Sequence, residues 1–281
     1  MTTREVIKGF FADVDVHALR TPRAIRVLIF SGMVYVGLVV ALAYAWYSRQ
    51  WGSSFQFFDD LAEWNQLDKL AHFVWAFHIT AVAARLLTWA KVNSPTAIVT
   101  ACLLSWIFIS SIEVLDGFSA DYGASIYDIL ANTLGCIAYL LQSILWQRIR
   151  IWPKFSFHPT TFAPMRPTML GNGFLEEVLK DYNGQTFWFS FQAPWLRLPS
   201  WLVIAVGIGA EGMVYSREAE NVLHDFSSHR KYLLSLDLDL SRLGPKSRWM
   251  RVLLWPLTVI KFPAPAIEVS ALGVKFHPIY F

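Results

Sequence analysis

Residues 27–46 form an apolar run of about 20 residues with no charged side chain. As a helix rising 1.5 Å per residue, such a run matches the roughly 30 Å hydrocarbon core of a bilayer. A signal peptide has a shorter apolar stretch that ends in small residues. This run instead ends Tyr44-Ala45-Trp46-Tyr47-Ser48-Arg49, so it reads as an uncleaved membrane anchor. Three weaker runs follow at residues 70–90, 96–112 and 126–146. The second is broken by His72, His78 and Arg85, and the third opens at Ser94-Pro95, with proline near the first helical turn. Ser125 precedes the fourth and Asp128 follows three residues on, a capping-box-like start. Taken alone, these three also suit core helices of a soluble bundle. The composition favours membrane: 55% of residues are apolar and 16% charged, against roughly 25% charged in soluble domains.

Loop charge orients the four crossings. Basic residues gather before the first run (Arg20, Arg23, Arg26), after the second (Arg85, Lys91) and after the fourth (Arg148, Arg150, Lys154). The other two loops are acidic, with Asp59, Asp60, Glu63 and Asp68 in residues 52–68 and Glu113, Asp116, Asp121 and Asp128 in residues 113–128, and neither contains Lys or Arg. This alternation places both chain ends in the cytoplasm under the positive-inside rule.

Beyond Pro153 the period changes to two. Residues 186–191, 202–215, 231–241 and 266–281 read as strands, the last with Gly273 as a turn or bulge. In the third, Tyr232, Leu234, Leu236, Leu238 and Leu240 share one face, and Lys231, Ser235, Asp237, Asp239 and Ser241 the other. That alternation predicts a half-buried antiparallel strand. Between these strands, Arg242, Lys246, Arg248 and Arg251 flank a Trp-rich apolar stretch, which suits either an interfacial helix near 247–262 on anionic lipid or a helix packed on the sheet. The predicted fold is therefore an α+β membrane protein of about four transmembrane helices followed by a C-terminal antiparallel β-sheet domain. Its segments are 1–26 (N-terminal, cytoplasmic), 27–150 (four-helix membrane domain) and 151–281 (β-rich domain).

Three helix-spaced pairs fall on the outer side of this topology: Asp68 with His72, Glu113 with Asp116, and Asp128 with Asn132. Oxygen ligands with one imidazole suit a hard or borderline divalent cation, so all six are candidate metal ligands. His72, Glu113 and Asp128 are also candidate catalytic residues, since neighbouring carboxylates and an imidazole can act as general acid and base. Each residue has a structural alternative too: Asp128 as a helix cap, Asp68 as a partner of Lys69, and the whole set as an interhelical hydrogen-bond network. Other chemistries lack their residues. Neither Ser119 nor Ser125 sits in a nucleophile elbow, the acidic loops hold no phosphate-binding arginine pair, and Gly207 and Gly209 precede no nucleotide-binding helix. Cys102 and Cys136 lie inside apolar segments and read as small buried residues. A net charge of +3 gives no case for nucleic acid.

Three blocks carry a resemblance: Asp68-Lys69-Leu70-Ala71-His72-Phe73, Glu113-Val114-Leu115-Asp116-Gly117-Phe118-Ser119, and Ser125-Ile126-Tyr127-Asp128 continuing to Asn132 and Gly135. Over about residues 55–146 they resemble an uncharacterised bacterial family of predicted periplasmic lipoproteins, similar in helix pattern to VanZ-like membrane proteins. The tail resembles longer, Bacteroidetes-type members through residues 179–186, 209–213 and 275–281. The resemblance implies a cell-envelope protein and supplies no activity. Neither cysteine stands near the chain start, where a lipobox cysteine would. The expected location is the bacterial cell membrane, multi-pass, with the inner membrane favoured over the outer. The expected partners are membrane lipid and other membrane protein subunits. Two functions compete: an envelope enzyme or carrier holding a divalent cation and acting on a lipid-linked substrate, and a non-catalytic scaffold or assembly subunit of a larger membrane complex.

Overall fold

The structure is a computed structural model and describes residues 2–44, 54–119, 123–240, 242, 254 and 256–281. It forms two compact units: Met1–Leu61 with Trp75–Ile149, and Ala62–Val74 with Arg150–Phe281. Helices come first and a six-stranded antiparallel sheet follows, the α+β layout expected.

In the first unit, α1 (Thr3–Ala12) starts in a capping box between Thr2 and Glu5. α2 (Pro22–Leu42) starts at Thr21, whose hydroxyl accepts the Ala24 N–H, with Pro22 at its first position. α3 (Leu67–Trp89) enters this unit at Trp75, and α4 (Ser94–Gly117) and α5 (Ile126–Trp146) complete it. The predicted fourth run matches α5 end to end, whereas α4 runs five residues past the predicted third run and so carries Glu113 and Asp116 on helix. Among the described residues, four helical stretches are long and apolar enough to cross a membrane: Pro22–Ala41, Glu63–Trp89, Ser94–Gly117 and Ile126–Trp146.

Ala76, Ile109 and Cys136, one from each of α3, α4 and α5, form a shared buried layer, with Ile79, Cys102, Phe108 and Ile112 around it. α2 is peripheral and touches α4 through the Tyr35–Phe108 ring pair at 5.3 Å. The two ends of the bundle differ. At one, the Asp15 N–H donates to Thr96 Oγ1 (2.7 Å), Asn93 donates to the Asp13 carbonyl (2.6 Å), and Arg23 lies 4.1 Å over the Trp89 ring. At the other, residues 56–58 pair with the segment after α4: the Gln56 N–H donates to Gly117 (2.9 Å) and the Phe58 N–H to Ala124 (3.1 Å). The basic N-terminal segment thus joins the α3–α4 turn, and the two acidic loops join each other, as the alternation of loop charge requires.

The sheet of the second unit is a meander, β1-β2-β3-β4-β5-β6. Its strands are β1 (Ile151–Phe157), β2 (Gln185–Phe191), β3 (Leu202–Glu211), β4 (His229–Leu238), β5 (Ala264–Ser270) and β6 (Gly273–Tyr280). Short helices α6 (Pro167–Leu170), α7 (Phe174–Lys180) and α8 (Glu218–Leu223) lie in the connections. β1 is a strand that the sequence reading lacked, because Pro153 and Lys154 interrupt its pattern. β3 ends before the predicted 215, because Gly212 turns the chain at φ +87 and a Cβ there would meet the Ser227 carbonyl at 2.2 Å. Gly273 opens β6 at φ +113, the turn expected of it. Half of the proposed 247–262 interfacial helix, residues 247–253 and 255, lies outside the described residues. Of the remainder, Pro256–Thr258 is a 3-10 turn, and residues 259–261 hydrogen-bond to Phe155 along the free edge of β1.

The sheet curls strongly. Laid flat, β2 and β6 would stand four strand spacings apart, roughly 19 Å. Yet Tyr280 of β6 hydrogen-bonds Thr186 of β2 at 3.0 Å and its ring meets Trp188 at 5.8 Å. Gly207 makes room for Trp188, whose ring would lie 2.7 Å from a Cβ at that position.

The predicted faces of β4 are reversed. Lys231, Leu233, Ser235 and Asp237 point into the curl and are buried, while Tyr232, Leu234 and Leu236 are exposed. Hydrogen bonds and ion pairs make the polar interior tenable. Lys154 Nζ pairs with Asp237 (2.6 Å), which also accepts from Ser190 (2.6 Å) and from the Phe262 N–H (2.9 Å). Lys231 pairs with Glu211 (3.1 Å), and the His277 ring lies 2.9 Å from Glu268. Burial works against the Lys231 ammonium, but Tyr280, Glu211 and Glu268 outweigh it and hold its pKa above the ordinary lysine value. Burial pushes Lys261 down to about 8, opposed by Asp237 and reinforced by Lys154.

Two predictions follow from this interior. Asp237→Ala leaves Lys154 buried without its counter-charge and is expected to cost about 3–5 kcal/mol, whereas Asp239→Ala, which loses a more exposed pair with Arg242, costs about 0–1 kcal/mol; denaturant unfolding measures both. Lys261 keeps its proton to near 10.5 when unfolded and loses it at about 8 when folded. The unfolded state therefore binds more protons between these values, and stability rises with pH. The rise should show between pH 8 and 10, below the range where Tyr280, held above its usual 10 chiefly by burial, acts oppositely. Lys261→Met removes it.

Candidate functional site

Ser125 is the N-cap of α5, and it ties two carboxylates to the first turn of that helix. Its backbone N–H donates to Glu113 Oε2 (3.1 Å), its hydroxyl donates to Asp60 Oδ1 (2.6 Å), and that hydroxyl accepts the Asp128 N–H (3.1 Å). The segments joined are the loop before α3, the last turns of α4 and the first turn of α5. The local sequence explains each placement. Serine before an apolar helix caps it. Asp128 in the first turn of α5 meets the positive end of the helix dipole. Asp60 follows directly from residues 56–58, which are pinned to the segment after α4 through Gly117, Ser119 and Ala124.

Burial singles out part of the expected set. Glu113 is 1% exposed, Asn132 0% and Asp128 6%. Asp116 is partly exposed, one turn beyond Glu113. Asp128, Asp116 and Asp60 all act electrostatically on Glu113. Four acidic groups therefore share one end of this unit.

Asp68 and His72 lie on the first turns of α3, which belong to the sheet unit. Asp68 is buried and pairs with Lys69 at 2.7 Å, and His72 is half-buried one turn on. The entry to α3 is strained: Trp64, Asn65 and Gln66 all hold positive φ, at a cost of order 1–3 kcal/mol each for residues other than glycine. The Trp64 N–H to Ser216 carbonyl bond (2.7 Å) and the Asn65 to Ser228 bond (2.8 Å) hold it.

Within the first unit, then, Glu113, Asp116, Asp128 and Asn132 stand on the helix faces expected. Asp60 and the linking role of Ser125 were missed. Asp59-Asp60 stood out only as loop charge, and Ser125 only as a cap. His277 lies 2.9 Å from Glu268 and His158 3.2 Å from the Phe281 carbonyl, and their rings lie 5.0 and 5.6 Å from Tyr280.

Residues 56–143 match the model of a family described as "Predicted periplasmic lipoprotein (DUF2279)". The matched stretch contains all six expected site residues together with Asp60 and Ser125. No curated protein matches the chain, and no solved structure does, so a likeness to VanZ-like proteins is not shown.

If Ser125 joins the segments as described, Ser125→Ala and Asp60→Ala are energetically coupled. A double-mutant cycle on unfolding free energy should give an interaction of about 0.5–3 kcal/mol, and Ser125→Thr, which keeps the hydroxyl, should restore most of the loss.

Proposed function

We propose that the chain is a multi-pass bacterial envelope protein that holds a divalent cation at the acidic end of its helix bundle through Glu113 and Asp128, with Asp60 beside them, and acts there on a lipid-linked substrate. The observation that carries this reading is the gathering of Asp60, Glu113 and Asp128 about Ser125. Four acidic groups at one place call for positive charge. A donor set of carboxylate oxygens suits a hard divalent ion.

Helix register supports the grouping within the helical unit. Ile109 of α4 and Cys136 of α5 share one buried layer. Four residues along each helix, about 6 Å, the matching positions are Glu113 and Asn132, and a further turn brings Gly117 and Asp128. In this reading Asn132 orients a ligand, and Asp116 completes the acidic surround.

The envelope assignment rests on the description of the matched family and on the four candidate spans. Acidic groups at a helix-bundle end sit where lipid headgroups and lipid-linked substrates lie. A bound cation would polarise a substrate oxygen or a water molecule.

Purified protein should contain a stoichiometric divalent metal by elemental analysis. Asp128→Ala should lose it, and a chelator should lower the melting temperature of the unsubstituted chain. Metal-free protein whose melting is indifferent to chelation defeats the reading. Glu176→Ala, on an exposed helix of the other unit, serves as the control and should keep the metal.

A further inference from the structure

The outer face of the sheet carries two apolar rungs that run from β2 to β6. By strand register one is Phe189, Val206, Leu234, Ile267 and Phe276, and the other Phe187, Ile208, Tyr232, Val269 and Val274. Neither contains a charged residue. Both begin under α3: Phe187 and Ile208 pack with Leu67 and Val74, and the Phe73 ring meets Phe189 at 5.9 Å. Both then emerge. Val206, Leu234, Ile267 and Phe276 are between 39% and 64% exposed. The opposite face, inside the curl, holds Lys154, Lys231, Asp237 and Glu268, all buried.

A water-soluble sheet turns its apolar face inward and its charges outward. Here the order is inverted, and the inverted pattern is the one strands adopt when lipid surrounds them. The covered start of each rung identifies the surroundings. The element covering it, α3, is itself long and apolar enough to cross a membrane, so the exposed remainder is continuous with a surface already seated against such a helix. Contiguous exposed apolar surface of this kind marks an interaction site in a monomer. Part of the sheet's edge is also paired. Residues 259–261 hydrogen-bond along β1, and His158, just past β1, lies 3.2 Å from the Phe281 carbonyl after β6. Open backbone edges are what hydrocarbon tolerates least.

We propose that the outer face of β3–β6 contacts the acyl chains of the bilayer, so that the sheet domain is a membrane-embedded or membrane-apposed part of the protein and not a free soluble domain. The inference stands on the sheet alone and does not depend on the cation reading.

The test uses the full chain reconstituted into vesicles of phosphatidylethanolamine and phosphatidylglycerol. Leu234→Cys, Ile267→Cys and Phe276→Cys are each labelled with an environment-sensitive fluorophore, and Glu220→Cys on exposed α8 reports solvent. The unsubstituted chain gives the background from Cys102 and Cys136, which lie in the helical unit. Doxyl groups on the lipid acyl chains should remove most of the emission at the three sheet positions, while aqueous iodide leaves it; Glu220→Cys should show the reverse. Iodide quenching at the sheet positions, as strong as at Glu220→Cys, overturns the proposal. So does quenching by neither reagent, which marks a protein-covered face, and a thiol crosslink between chains would then identify the cover as a second copy. Circular dichroism confirms folding, and Val269→Cys on the other rung replaces any variant that fails to fold.

Discussion

A charge removed from water must meet an opposite charge or several hydrogen bonds, and this chain buries charges in two separate places. In the sheet the answer is local: Lys154 meets Asp237, and Lys231 meets Glu211. At the helix end, carboxylates gather about a serine that supplies one N–H and one O–H. The two solutions differ in kind. The sheet interior balances ammonium groups against carboxylates and hydroxyls, which makes it a structural core of polar composition. Among the described residues of the helical unit, the groups named around Glu113 are acidic. That asymmetry is why the helix end, and not the sheet interior, reads as a site.

The polar interior determines what the outside of the sheet must be. With period-two alternation, placing Lys231, Ser235 and Asp237 inward leaves Tyr232, Leu234 and Leu236 outward. A one-residue slip of register would exchange the faces, and ten consecutive β3–β4 pairs resist it. Trp188, fully buried over Gly207 with its indole N–H donating to Ser156 at 2.8 Å, fills the centre of the curl. The apolar exterior is therefore the consequence of a core held together by ion pairs and one large aromatic ring.

Much of the architecture was legible because it rests on periodicity and length. The apolar runs became α2 to α5, and loop charge correctly paired the ends that meet, since a short connection keeps its neighbours' charges on one side. Alternation located β4 and separated its two faces. It could not say which face is inside, because that depends on partners distant in sequence: Asp237 and Lys231 turn inward where Lys154 and Glu211 meet them. β1 was illegible because Lys154 reads as an exposed residue until Asp237 is placed opposite it. Asp60 was illegible as a site residue for a related reason: its partner, Ser125, lies 65 positions away, and only the fold brings the two together.

Helix electrostatics sharpen which acidic residues need an explanation. Asp128 lies in the first turn of α5, where the dipole and the Ser125 cap both favour it. Asp68 lies in the first turn of α3 beside Lys69. Both are accounted for without any ligand. Glu113 and Asp116 fall in the last turns of α4, where the helix presents its negative end and an acidic side chain loses about 0.3–1 kcal/mol. Asn132 is wholly buried in α5 with no capping role. The bond from the Ser125 N–H to Glu113 offsets part of the cost, about 0.5–1.5 kcal/mol, yet the same serine brings Asp60 and the first turn of α5 toward that side chain. A helix stabilised for its own sake would carry lysine or arginine at these positions. The acids at the end of α4 are therefore the ones whose placement neither the helix dipole nor a cap explains.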